Sequence, residues 1–262
     1  MPDIVINGPD SLRFMTDVDR VFPLGTELHL QDGRKFRFGR MGNATAARGS
    51  LYQSQVPDAN FDTLAVPSST LNVVGSRELR VTLPANSIAE NLWKEGYAVI
   101  EAAAGAGEGL AYKVESHPAS AGSEDVTFTL APGNGLQDAL NTSDKVTFMK
   151  HPLDAVIIHP APPTAKIIGV PQVAHAANYY GWWQFRGPCA VLVVGTHVIG
   201  GGLAATGTVT GSPDGSVEAI GTLITTTAAT IAQFTEAFGS YVGVCMEVAP
   251  TTGYGMAFLD IP

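Results

Sequence analysis

Apolar and polar residues alternate with a period of two along much of this chain, in short runs separated by glycine, proline, asparagine and aspartate. Period-two alternation sends successive side chains to opposite faces, which is the pattern of a half-buried strand. Such runs are read at 26–30, 35–39, 78–83, 97–102, 110–115, 126–130, 145–149 and 155–158, and again at 167–174, 182–185, 190–195, 217–223, 242–248 and 256–261. Their even spacing predicts sandwiches or barrels and not the alternating strand and helix order of a parallel α/β sheet.

One hairpin is specified down to its register. Leu28 and Leu30 precede Asp32-Gly33, and Phe36 and Phe38 follow. A two-residue Asp-Gly loop would set Leu30 beside Lys35 and mix the faces. A three-residue loop, Gln31-Asp32-Gly33, pairs Leu30 with Arg34 and Leu28 with Phe36, so all four apolar side chains share one side. That loop requires Gly33 in the left-handed region of a bulge.

Two short helices interrupt the strands. Ser87-Ile88-Ala89-Glu90 has the form of a capping box, with Gly96 placed to stop a helix over 88–95. Residues 228–238 place Ile231, Phe234 and Phe238 at helical spacing before Gly239, although the threonines at 225–227 favour strand equally. The proline cluster His159-Pro160-Ala161-Pro162-Pro163-Thr164 predicts a domain boundary. The expected architecture is therefore mainly β: two β-sandwich or barrel-like domains, 25–159 and 160–262, and an extended N-terminal arm, 1–24. Pro2, Gly8, Pro9 and Pro23 break every apolar run in that arm, so it is expected to become ordered by lying on a neighbouring surface.

Composition narrows the partners. With 45% hydrophobic residues the 262-residue chain can bury a sizeable core, and 29 glycines and 17 prolines favour turns over long helices. The net charge is −9, and the one basic run, Arg34, Lys35, Arg37 and Arg40, is too small to neutralise many phosphates. No nucleic-acid partner is expected. The N-terminus shows no basic region followed by an apolar stretch, and the apolar run at 189–194 is far shorter than a membrane span, so neither secretion nor membrane insertion is expected. Cys189 and Cys245 sit in buried-strand runs and are expected as reduced core residues, with a bridge possible if their strands are neighbours.

Catalytic patterns are sparse. The glycines at 105–109 lack the Lys-Ser/Thr of a phosphate loop and lead into a strand, which fits a hairpin turn. No Gly-x-Ser-x-Gly elbow occurs. The six histidines have no metal-ligand spacing; His151 and His159, on one strand face, would stand about 26 Å apart. No metal or organic cofactor and no catalytic residue is assigned. Carboxylates such as Glu115, Asp125, Glu218 and Glu247 have no distinguishing context, yet a glycosidase pair can be assembled by the fold alone.

The segment 178–188 is the richest in aromatics. Alternation gives Tyr179, Trp183 and Phe185 one face, expected to be core, and Tyr180, Trp182, Gln184 and Arg186 the other, expected to be an interface. Aromatics interleaved with Arg also suit stacking on sugars or bases.

At these residues the chain resembles a family of bacteriophage virion structural proteins of marine and environmental phages, similar to head decoration or cement proteins. The resemblance is carried by Gly169-Val170-Pro171-Gln172-Val173-Ala174, Tyr180-Gly181-Trp182-Trp183-Gln184, Gly187-Pro188, Val191-Leu192, Gly195, Val198-Ile199-Gly200, Val242-Gly243-Val244 and residues 254–261. Asp32-Gly33-Arg34-Lys35-Phe36-Arg37-Phe38 and Gly109-Leu110-Ala111-Tyr112-Lys113-Val114 also match. It implies a non-enzymatic protein made in the host bacterial cytoplasm and carried on the capsid surface of the virion, bound to the outer face of the major capsid protein and stabilising it. A homotrimer is expected, since a strand with aromatics on both faces calls for a covering subunit and trimers suit the three-fold positions of a shell. The alternative is a tail or head-fibre protein that binds host glycans, with or without glycoside hydrolase activity.

Overall fold

The computed structural model describes residues 5–102, 107–133, 135–206, 212–220, 241–248 and 252–262. Strands β1 (Val5–Asn7), β2 (Glu27–His29), β3 (Lys35–Arg40) and β4 (Tyr52–Gln53) come first in the chain. They are followed by β5 (Leu64–Ala65), β6 (Glu78–Thr82), β7 (Tyr97–Ala102), β8 (Ala111–Ser116), β9 (Asp125–Leu130) and β10 (Asp144–Met149). The last group is β11 (Ile157–Ile158), β12 (Ile167–Pro171), β13 (Tyr180–Val194), β14 (Gly202–Ala205), β15 (Val217–Ala219), β16 (Tyr241–Cys245) and β17 (Thr252–Asp260). The protein is mainly β with barrel-like sheets.

The chain forms two units, one drawn from residues up to Val56 and from Pro152 onward, the other from Pro57–His151. This corrects the expected division near residue 160. β11, before the proline cluster, and β12, after it, both pair with β4, so the prolines join two neighbours of one strand within a single unit. Prolines mark an extended, donor-poor connection, and such a connection serves inside a unit as well as between two.

The first unit is organised around β13, 15 residues long. The sequence reading split this strand at Gly187-Pro188; the backbone instead passes through with Gly187 at φ +91°, next to a register shift against β3. The N-terminal half of β13 pairs with β3 on one edge and with β12 on the other, and its C-terminal half pairs with β17 and, in parallel, with β15. The circuit β13-β15-β14-β16-β17 closes on itself through the β13–β17 pairing, which makes a five-stranded barrel. Its interior is filled by Val191, Val193, Leu203, Val217, Val242, Cys245, Ala257 and Leu259. A barrel of so few strands has room only for side chains, several of them small. A second ring runs β13-β3, the segment 153–156, β11, β4 and β12 back to β13, and encloses Met41, Tyr52, Leu153, Val156, Ile168 and Trp183.

The hairpin β2–β3 has the register read from the sequence: Leu28 faces Phe36, Leu30 N–H donates to Arg34 O, and Gly33 has φ +85°. Leu28, Leu30, Phe36 and Phe38 are buried together with Trp182. The N-terminal arm has little regular structure and lies on the sheet of its own unit. β1 forms an edge strand parallel to β2, a 3-10 turn covers Asp10–Phe14, and Ile6, Leu12, Met15 and Phe22 pack on that same cluster. Residues interrupted by proline and glycine cannot make long elements, but their isolated apolar side chains still gain by burial against a ready-made sheet.

The second unit is a six-stranded antiparallel sheet in the order β5-β10-β7-β8-β9-β6, with β5 also lying against β6. Trp93 occupies its core among Phe61, Phe128 and Phe148. The helix expected over 88–95 is a series of turns. Ile88 exchanges backbone hydrogen bonds with Ser120, and Asn91 and Glu95 have φ of 58° and 66°, which no α-helix accommodates. The 228–238 segment lies outside the described residues.

Candidate interaction surface

The structure separates the four residues expected at an interface. Trp182 is fully buried, packed between Phe38 (ring centroids 5.1 Å) and Phe22 (5.5 Å). Gln184 is also fully buried; its amide donates to the carbonyls of Arg186, Gly187 and Pro188 and so holds the bulge in β13. Tyr180 is half-buried and stacks on Phe38, and Arg186 alone is exposed, 3.7 Å from Asp260. The second face of this strand is thus covered by the chain's own residues 6–22, and it offers no open aromatic platform. Trp183 and Phe185 are core, as read from the sequence.

The buried titratable groups of the described residues are arranged as core. His117 accepts from Trp93 N–H at Nε2 and donates to Pro118 O from Nδ1, and burial lowers its pKa. His175 is fully buried against Trp183 with neither ring nitrogen bonded, and burial pushes it down to about 4. Cys189 and Cys245 are both free and buried, and burial pushes the Cys189 thiol up to about 12. Among the described residues no three His, Cys, Asp or Glu side chains are grouped to hold a metal ion. Of the carboxylates considered from sequence, Glu115 pairs with Arg77, Asp125 with Arg80, Glu247 accepts from Met256 N–H, and Glu218 is buried in β15.

A cleft of about 740 Å³ lies where β1 and the 3-10 turn meet the β2–β3 hairpin, with Asn7, Asp10, His29, Gln31, Asp32 and Arg34 on its walls. Arg34 bridges its two carboxylates, at 2.5 Å from Asp10 and 2.6 Å from Asp32. Asp10 is held below the usual carboxylate range by the hydrogen bond from Arg13, with Arg34 adding to it. For Asp32, desolvation acts upward but the hydrogen bonds from Arg34 outweigh it and its pKa is lowered too. Two anionic carboxylates sharing one guanidinium supply no protonated general acid, so this pair does not have the character that glycoside hydrolysis needs.

The largest unexplained feature is apolar. Along β17, Gly255, Ala257 and Leu259 point into the barrel while Tyr254, Met256 and Phe258 point out, exposed by 56%, 40% and 39%. Opposite them on β13 stand Leu192, Ala190 and Pro188, and on the other side Val244 of β16 pairs with Phe258. Met246 continues the row, bonded through its N–H to Met256 O, and the loop residues Val198 and Ile199 adjoin it where Gly200 N–H meets Cys245 O. Three adjacent strands therefore present one continuous apolar face. The signal was in the sequence: a narrow barrel admits small residues inward, so a strand alternating small with large apolar residues turns the large ones out.

No family model, curated protein or solved structure matches this chain.

Proposed function

We propose that the chain is a non-enzymatic structural protein of a bacteriophage virion, a decoration or cement protein seated on the outer face of the major capsid protein shell. The observation that carries this reading is the apolar face of β13, β16 and β17. A contiguous exposed apolar patch of this kind on a filled barrel is what a protein keeps for assembly, another copy of itself on the shell included, since it lowers solubility without aiding the fold. The resemblance of residues 169–174, 180–184, 242–244 and 254–261 to virion structural proteins points the same way, and so do carboxylates and histidines that are paired, anionic or buried. The glycan-binding tail alternative loses its main support, because Trp182 is inside the core.

Immunogold labelling of purified particles tests the assignment. Label on the heads, together with earlier genome loss on heating in particles lacking the protein, is the expected result. Label confined to tails, or absence of the protein from particles, overturns it.

A further inference from the structure

We infer that the β13–β16–β17 face is a self-association surface, on which a second copy of this chain packs about a two-fold axis passing near Met256, a dimer in place of the trimer expected from the sequence. The inference stands whether or not the protein is carried on a virion.

Area is the first argument. The outward side chains of Tyr254, Met256, Phe258 and Met246 expose on the order of 400 Å² of largely apolar surface, and Val198 and Ile199 extend this to about 600 Å². The largest apolar patch on an ordinary monomer is about 300–600 Å². A standard stable interface buries about 800 Å² per partner, which this face reaches with its polar margin included.

Charge is the second. With a net charge of −9, two copies repel at long range, so they can meet only where acidic groups are absent or neutralised. Here the outward side chains of Tyr254, Met256 and Phe258 are uncharged, Asp260 is accompanied by Arg186, and the Glu247 carboxylate accepts from Met256 N–H. The margin holds two acidic groups and one basic group, a net charge of −1 against −9 for the whole chain, so this face carries little of the repulsion between copies.

Symmetry is the third. Tyr254 and Phe258 flank Met256 at two residues on either side and share its outward face. When two copies of β17 run antiparallel across an isologous contact, Met256 meets its equivalent and each Tyr254 meets the other copy's Phe258. Sheets packed face to face lie about 10 Å apart, a gap that such side chains fill by interdigitation. The face is thus complementary to itself.

Sedimentation velocity of the full chain is the test. The wild type is expected to run as a dimer at micromolar concentration. Met256→Glu, which brings two like charges together at the axis, is expected to weaken association at least about 30-fold. Val74→Glu, an equivalent change at an exposed apolar residue of the other unit, is expected to leave the dimer intact. Because Met256→Glu could disturb folding, a second variant, Met256→Cys, is treated with a short bis-maleimide; a single covalent dimer is expected, with none from Val74→Cys. A wild type that stays monomeric to roughly 100 µM overturns the inference, since an interface of this size should assemble there. A trimer, a dimer that survives in folded Met256→Glu, or no crosslink at position 256 overturns it equally. Failure of particle labelling would strike the virion reading and leave this result untouched.

Discussion

Phe22 lies against Trp182 with ring centroids 5.5 Å apart, and edge-on to Phe38 at 5.4 Å and 85°. A residue from the proline-broken N-terminal segment therefore closes the aromatic cluster that would otherwise leave Trp182 open to water. Phe22→Ala is expected to destabilise the first unit by about 2 kcal/mol, less than a fully buried Phe because Phe22 is only half-covered. Urea unfolding followed by tryptophan fluorescence checks this. An unchanged midpoint would mean that the arm is not part of the core.

Gly181 and His175 form a tighter couple. A Cβ at position 181 would sit 2.1 Å from His175 Cε1, inside the van der Waals contact of a fully buried ring. Gly181→Ala is expected to cost about 3 kcal/mol, the upper range for overpacking. Combining it with His175→Ala should recover much of that loss, and the double-mutant cycle measures the coupling.

His175 also sets a pH dependence. Its folded pKa, about 4, lies below the ordinary value of about 6.5, so the unfolded chain takes up the proton more readily. The fold has its full stability from this group above about pH 6.5 and loses it as pH falls toward 4, by about 3 kcal/mol in all. His117 and His197 are lowered by burial as well and add in the same direction. The variant His175→Leu is expected to flatten the slope of unfolding free energy against pH between 7 and 4; equal slopes in wild type and variant would contradict the burial argument.

The thiols should be silent in the folded protein. Cys189 is raised to about 12 by burial, and the Cys245 thiol donates to Glu247 O from a buried position. Thiolate is the reactive form, so Ellman's reagent should label neither cysteine in native buffer and both in denaturant. Rapid labelling of either without denaturant would show that its strand opens.

Strand positions and the β2–β3 register were legible because local rules decide them: side chains alternate, and the loop length that puts Leu28, Leu30, Phe36 and Phe38 on one face is unique. What covers a face is decided by residues remote in sequence. Nothing near Trp182 announces that Phe22 will lie on it, and nothing near Pro160 announces that β11 and β12 will share β4. The apolar face was missed for a more local reason. The run read from alternation begins at Met256, whereas β17 begins at Thr252, and Tyr254 joins Met256 and Phe258 only in the strand 254–261 that the resemblance marks, with no sign there of which face turns out.

Strand β13 is the one element common to both rings of the first unit. Neither ring can close without it, so no cut through the unit yields a self-sufficient half. A tension applied along β13 is resisted by the ladders to β3 and β17 loaded lengthwise, in shear, where many hydrogen bonds must fail together and cannot open one at a time. The unit is built like a beam with one common chord, stiffest along the line of its longest strand.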